Sequence, residues 1–317
     1  MLILSDNDIA EVLEMEETID VVEEAFSEYA RGGVVMPPRS TIMIDKHEGS
    51  ISFMPSYIER SEAEAAKIIS IYPKNPERGF PTTMAWIVVN DPKTGELLAF
   101  MDATYITAMR TGAITGVAAK YLAPRDSEIA GVYGAGVQGR TQAWAASTVL
   151  DLDQIKVYDI DREARQKFAS EMTEKLGIEV KSVDNARYAS EDADIIMTAT
   201  TSSKPVFKRD WLGEKVHVSA IGAFYPDYRE LDTATVVESK LVVDDLEGVI
   251  REAGDVLIPI KEGAMTEDDI YAELKELVSG TKEGRTEEDG LTVFKSVGIA
   301  IQDSSVANLV LDQIGVR

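Results

Sequence analysis

The sequence predicts an α/β chain in two textures: a helix with a meandering sheet, followed by a doubly wound parallel sheet. Three observations predict this class. Short strand-like runs separated by turn residues fill the first third of the chain. Apolar strand-like runs alternate with helical patterns from about Thr107 onward. Gly134-Ala135-Gly136-Val137-Gln138-Gly139 stands directly between one such run and a helical pattern. Alternation at this pace is the signature of βαβ units, and a glycine-rich turn in that setting marks the Rossmann variety. At 317 residues the chain passes the size at which one core usually keeps growing, so two domains or one elaborated α/β domain are expected.

In order along the chain, Ser5 reads as the N-cap of a helix from Asp6 to Leu13. Thr18 opens a second, whose apolar positions Val21, Val22, Ala25, Phe26 and Tyr29 recur at helical spacing up to Gly32-Gly33. Pro37-Pro38 then breaks the pattern. Strands are predicted at Ser40 to Ile44, Ser50 to Met54, Ala66 to Ile71 and Thr83 to Val89, and at Leu97 to Asp102 after the turn residues Asp91-Pro92-Lys93-Thr94-Gly95. A small-residue helix from Ala108 to Leu122 leads into Ile129 to Tyr133, a short apolar run of the kind that forms a buried parallel strand. Further strands are predicted at Lys156 to Tyr158, Glu179 to Val183, Ile195 to Thr198, His217 to Ile221 and Lys240 to Val243, with a helix over Arg162 to Leu176. After Gly290, the segment Leu291 to Ile301 and the amphipathic stretch Asp303 to Gln313 read as a return to the first domain.

Composition excludes several classes of function. Lys+Arg 32 against Asp+Glu 56 leaves a net charge of -24, which repels phosphate backbones and anionic lipid, so neither nucleic acid nor membrane is an expected partner. With Cys 0 there is no disulfide framework, thiolate nucleophile or cysteine-ligated metal, and a reducing cytoplasm fits. The start lacks a basic segment followed by a long apolar one, and no run approaches ~18 apolar residues. His47 and His217 are far apart and without metal-site spacing. They read as surface or packing residues, and no metal is expected.

The glycine motif carries the chemistry. Its first glycine permits a tight turn, the second lets backbone N–H groups approach a pyrophosphate, and the third lets helix and strand pack closely. Asp159 follows Gly139 by twenty positions at the end of the second strand. Its carboxylate can accept hydrogen bonds from an adenosine ribose and would repel a 2′-phosphate, which favours NAD over NADP even with Arg162 nearby. Gly134, Gly136 and Asp159 are therefore candidate cofactor residues. Arg39, Lys67 and Arg110 are basic residues in apolar or loop settings. In so acidic a chain, a carboxylate substrate needs local cations. An Arg can clamp it through paired hydrogen bonds, and a Lys desolvated on a strand can exchange protons near neutral pH.

These residues resemble the ornithine cyclodeaminase and mu-crystallin family over nearly the whole chain. The resemblance is carried by Met36-Pro37-Pro38-Arg39, Lys67 with Pro73-Lys74-Asn75-Pro76, Gly79-Phe80-Pro81-Thr82, Met101 to Thr104 through Arg110 to Ala113, and the glycine loop ending at Gln138. It continues through Gly222 to Asp227, Arg229 to Asp232, Gly254-Asp255 and Phe294 to Ala300. It implies a Rossmann domain inserted in a second, α+β substrate and dimerisation domain. Residues 1–115 would be its N-terminal part, 116–293 the dinucleotide-binding domain and 294–317 the return, with a homodimer formed through the substrate domain. It also implies that Lys67 is the catalytic lysine, that Arg39 and Arg110 hold the substrate carboxylate with Arg110 also near the cofactor, and that Thr82 lines the substrate pocket. Thr111, Val137, Gln138, Asp159, Ala223 and Ser296 would contact the dinucleotide. Asp227 would be a further catalytic-site residue that orients the site, or else a turn-stabilising Asx side chain.

Two departures from the cyclodeaminase pattern bear on activity. Phe53 stands ahead of Met54-Pro55, and Phe224 in the late loop, where cyclodeaminases carry acids that serve the distal amine of ornithine. The expected function is therefore an NAD(H)-dependent oxidoreductase that interconverts a small α-amino acid and its imino or 2-oxo acid, or reduces a cyclic imino acid. An ornithine cyclodeaminase-type lyase and a mu-crystallin-like ligand-binding protein are the alternatives. Hydride would pass to the carbon of a C=N bond, and Lys67, its pKa depressed by neighbouring charges, would give or take the proton. The two phenylalanines would make the side-chain pocket apolar.

Overall fold

The structure is a computed structural model that describes residues 1–316. It divides into two compact units, residues 1–110 with the chain from Ile299 onward, and residues 111–298.

The first unit is a seven-stranded sheet with two long helices. Its strands are β1 (Leu2–Leu4), β2 (Val34–Val35), β3 (Ser40–Ile44), β4 (Gly49–Ile58), β5 (Ala63–Ile71), β6 (Thr83–Asn90) and β7 (Leu97–Asp102). They run in the order β1-β7-β6-β5-β4-β2, with β3 also on β4. Only β1 pairs in parallel, on β7. The strands alternate, and one face buries Met54, Ile58, Ala65, Lys67, Ala85, Ile87, Ala99 and Met101. Against β4, β5 and β6 packs the helix Ala300–Gln313, which also meets the helix Met15–Ala30.

Two expectations for this unit shift. The second helix begins at Met15, and Thr18 lies inside it, its hydroxyl donating to the Glu14 carbonyl at 2.6 Å. Met15, Ile19, Val22 and Phe26 form the buried stripe, so burial sets the start one turn earlier than the capping residue does. The C-terminal helix is not amphipathic, because it is buried almost throughout from Ala300 to Leu311, including the polar run Gln302-Asp303-Ser304-Ser305.

The second unit holds eight parallel strands: β8 (Ile129–Tyr133), β9 (Gln154–Tyr158), β10 (Glu179–Ser182), β11 (Ile195–Thr198), β12 (Val216–Ala220), β13 (Lys240–Val243), β14 (Ala272–Glu273) and β15 (Leu291–Lys295). Their order is β10-β9-β8-β11-β12-β15-β13-β14. Strand order reverses beside β8, so the glycine loop at its carboxyl end sits at the switch point where open α/β sheets bind ligands. Leu291–Lys295 corrects the expected return at residue 294. This fully buried run is a strand between β12 and β13, and the first unit resumes only at Ile299. A five-residue run such as Leu-Thr-Val-Phe-Lys carries too short a pattern to separate strand from buried helix until its neighbours are known. The other boundary also moves, from residue 115 to Arg110, inside the helix Thr104–Leu122.

A buried polar network braces the carboxyl ends of these strands. The Glu230 carboxylate accepts from the Thr198 hydroxyl at 2.7 Å, from the Thr200 N–H and hydroxyl at 2.6 and 2.7 Å, and from the Gly222 N–H at 2.8 Å. Asp255 accepts from the Glu230 and Leu231 N–H groups at 2.7 and 2.9 Å and pairs with Lys295 Nζ at 2.8 Å. All three side chains are sealed from solvent. Burial, with the Asp255 charge next, raises the Glu230 pKa. Replacing Asp255 by Asn leaves a buried ammonium without its carboxylate, a loss of about 3–5 kcal/mol. The Asp255→Asn midpoint in urea is expected to fall accordingly, and an unchanged midpoint would show that Lys295 finds another counter-charge.

Candidate active site

In the first unit, β5 and the C-terminal helix bring a cation and an anion together in an apolar interior. Lys67 sits mid-strand, in register with Met54 on β4 and Ile87 on β6. Its Nζ lies 2.7 Å from both carboxylate oxygens of Asp303. Asp303 Oδ1 also accepts from Arg110 Nε at 3.1 Å, and Arg110 Nη1 donates to Gln302 Oε1 at 3.1 Å. The same Gln302 oxygen accepts the Ile299 N–H at 2.9 Å, which fixes the first turn of the helix. Ser304 and Ser56 share a buried hydrogen bond of 2.6 Å between helix and β4.

The charges set the chemistry of the lysine. Burial, the largest influence, pushes the Lys67 ammonium down to about 7; the Arg110 guanidinium pushes the same way, Asp303 opposes, and Arg39 adds a smaller depression. Both causes expected from the sequence, desolvation on the strand and neighbouring charge, act here, and burial is the larger. A lysine at that value exists in both protonation states near neutral pH, as a proton donor and acceptor requires.

Other expected residues of this unit lie at its surface. Arg39 is half-buried just before β3, close enough to Lys67 to affect its charge. Thr82 is exposed ahead of β6, and its carbonyl accepts the Tyr72 N–H at 2.8 Å. Phe53 pairs with Ile68, one residue out of phase with Met54 and Lys67, so the pleat turns it to the opposite face. Asp303 and Gln302 are the site residues that sequence reading missed. The available signal was a run of four polar residues inside the otherwise apolar pattern from Ala300 to Leu311.

The second unit presents the glycine loop. Gly134 has φ +102°, and a Cβ there would lie 2.4 Å from the Ala199 carbonyl. A Cβ at Gly139 would lie 2.0 Å from the Gly134 carbonyl, whereas one at Gly136 would meet nothing within 4 Å. Two of the glycines therefore serve the turn and its packing, and the third leaves an open approach to the start of the helix Val137–Val149. Asp159 braces the loop by accepting from the Ala135 N–H at 2.8 Å. Val137 and Ile160 project into solvent beside it. The open glycine, the free helix start and the acid at the end of β9 fit a dinucleotide.

The remaining expected residues of this unit differ in setting. Gln138 is half-buried on the first turn of that helix and Thr111 half-buried on the helix Thr104–Leu122, while Ala223 is buried after β12. Ser296 is buried, its hydroxyl donating to Asp244 at 2.6 Å. The Asp227 side chain is 88% exposed and 3.5 Å from Lys261. Among the described residues no cluster of His, Cys, Asp and Glu could hold a metal, and no helix is long and apolar enough to cross a membrane.

A doubly wound sheet with an open glycine loop at its switch point, in a chain that also buries a lysine against a carboxylate, fits the class of Rossmann-type oxidoreductases. The chain belongs to the ornithine cyclodeaminase/mu-crystallin family, whose profile matches residues 1–316. It is 50% identical to the Thermococcus litoralis Delta(1)-pyrroline-2-carboxylate reductase solved in complex with NADH and L-proline. That match has a TM-score of 0.96 and covers 99% of this chain and 97% of that one. An archaeal alanine dehydrogenase dimer with bound NAD superposes with a TM-score of 0.93 at 38% identity, over 99% of this chain and 95% of that one. The alanine dehydrogenase of Archaeoglobus fulgidus is 39% identical over 311 residues, 98% of this chain and 94% of the relative.

The loop geometry separates stability from access. Gly139→Ala forces a clash with backbone and is expected to lower the melting temperature clearly. Gly136→Ala meets nothing and is expected to melt with the wild type. Equal losses in thermal melts of the two variants would contradict this division.

Proposed function

We propose that the protein is an NAD(H)-dependent imino-acid reductase that converts a small cyclic imine such as Δ1-pyrroline-2-carboxylate to the amino acid, and runs the reverse oxidation at higher pH. The observation that carries the proposal is Lys67, buried beside Arg110 with a pKa of about 7. Kinship to a pyrroline-2-carboxylate reductase and to alanine dehydrogenases supports it. When bound, the dinucleotide would supply hydride to the carbon of the C=N bond. Arg110 and Arg39 hold the substrate carboxylate, with Thr82 lining the pocket, which pre-orients the imine. Lys67 donates the proton that the product nitrogen takes up and receives it back in the oxidation.

In the second unit, Gly134 and Gly136 with the N–H groups of Val137 and Gln138 receive the pyrophosphate. Asp159 accepts from the adenosine ribose, so NAD is the favoured form. Thr111, Ala223 and Ser296 would complete the dinucleotide contacts, Arg110 would serve the cofactor as well as the substrate, and Asp227 would help orient the active site. Phe224, in tilted contact with Tyr225 at 4.8 Å between centroids, brings an apolar ring where a diamino acid would need a carboxylate. We further infer a homodimer, as in the alanine dehydrogenase structure, and a cytoplasmic setting from the absence of cysteine.

The assay is NADH consumption with Δ1-pyrroline-2-carboxylate, with NADPH in parallel. Lys67→Met is expected to lose on the order of 10²–10⁴-fold in kcat while NADH still binds. Full turnover in that variant would remove the lysine from the mechanism. Reduction needs Lys67 protonated, so its kcat/KM is expected to fall as pH rises through about 7. Oxidation of the amino acid needs the neutral amine and is expected to rise over the same interval. Two flat profiles would contradict the assignment.

A further inference from the structure

Lys67 is surrounded by an excess of positive charge. Arg110 reaches it from the helix Thr104–Leu122 and Arg39 from the segment before β3, while its register partners Met54 and Ile87 carry none. The acid facing this group is Asp303, in the first turn of the C-terminal helix, where the helix dipole favours a carboxylate. One carboxylate therefore serves two cations, at 2.7 Å from Lys67 and 3.1 Å from Arg110. Without it, two buried cations would face each other with the half-buried Arg39 nearby, and the lysine is the one that can relieve this by losing its proton.

We propose that Asp303 is the positioning residue of the site: its carboxylate keeps Lys67 protonated for donation to the imine and fixes the Arg110 guanidinium from behind. Arg110 spends at least two of its N–H donors on Asp303 and Gln302, so its plane is set before any substrate arrives. Pre-setting of this kind lowers the ordering cost of binding a carboxylate. Asp303 is itself buried and acts through Lys67 and Arg110. The inference rests on Lys67 being the proton donor of the proposed reduction.

The test compares wild type, Asp303→Asn and Asp303→Glu by two readouts. The first needs no substrate. The Lys67 Cε signal in lysine-labelled protein, identified by its loss in Lys67→Met, is titrated by NMR. Removing an opposite charge at this distance is expected to lower the Asp303→Asn midpoint by about 1–3 pH units. The second is the pH profile of imine reduction, whose falling limb is expected to move to lower pH by the same amount, with a higher KM for the imino acid. A variant that loses kcat equally at every pH, with the Lys67 midpoint unmoved, overturns the proposal and leaves Asp303 a packing residue. If Asp303→Asn does not fold, Asp303→Glu decides. It keeps the charge and displaces it, so the midpoint is expected to hold while kcat falls, and unchanged kcat and KM overturn the proposal. Failure of the underlying reading shows elsewhere, as full turnover in Lys67→Met.

Discussion

A lysine sealed between a sheet and a helix is costly unless an anion shares its space, and removing either partner costs more than never having had the pair. In this chain that constraint joins distant parts of the sequence. Lys67 lies in the middle of β5, Arg110 at the end of the N-terminal portion, and Asp303 near the C-terminus. The C-terminal helix must dock on β4, β5 and β6 to deliver the carboxylate, and its near-total burial reflects that task. Burial and ion pairing together leave the ammonium close to neutral pH, the range where a proton donor is most useful. Stability and chemistry in this unit share one set of atoms.

The second unit solves a different problem with backbone. Its parallel sheet ends in loops whose N–H groups find no partner in the sheet ladder, and the carboxylates of the buried Glu230, Asp255 and Lys295 network accept several of them. The Asp244 carboxylate does the same for the N–H groups of Val297 and Gly298, at 2.9 and 2.7 Å, and also accepts the Ser296 hydroxyl at 2.6 Å. In the glycine turn after β8, the Gly134 N–H is paired with the Tyr158 carbonyl at 3.0 Å and that of Ala135 with Asp159 at 2.8 Å, while Gly136 leaves the start of the next helix open. Gly254-Asp255 and Lys295-Ser296, notable in the sequence only as family signatures, thus have a physical task in the loops beside the glycine turn.

Much of the fold was legible because its signals are local. The glycine loop between strand and helix, the exact spans of β3, β7, β8, β11 and β13, and the helix Arg162–Leu176 follow from periodicity and turn residues. What stayed hidden depends on partners far along the chain. Leu291–Lys295 is buried along its whole length as a central strand between β12 and β13, the polar Thr292 and Lys295 included, and nothing within five residues shows that. Lys67 and Arg110 could be picked out as cations in apolar settings, but Asp303 could not, since an acid in a C-terminal helix usually faces water. Only the fold reveals that this one faces a lysine.

The central claim is that the chain reduces an imino acid by net hydride transfer, and the most direct measurement is stoichiometric. Purified protein is given limiting NADH and excess Δ1-pyrroline-2-carboxylate, and the NADH lost is compared with the proline formed, with ammonia release from ornithine measured in parallel. One proline is expected for each NADH consumed, with no ammonia from ornithine. Ammonia released from ornithine with no net change in NADH would contradict it and show that the dinucleotide is regenerated within each turnover.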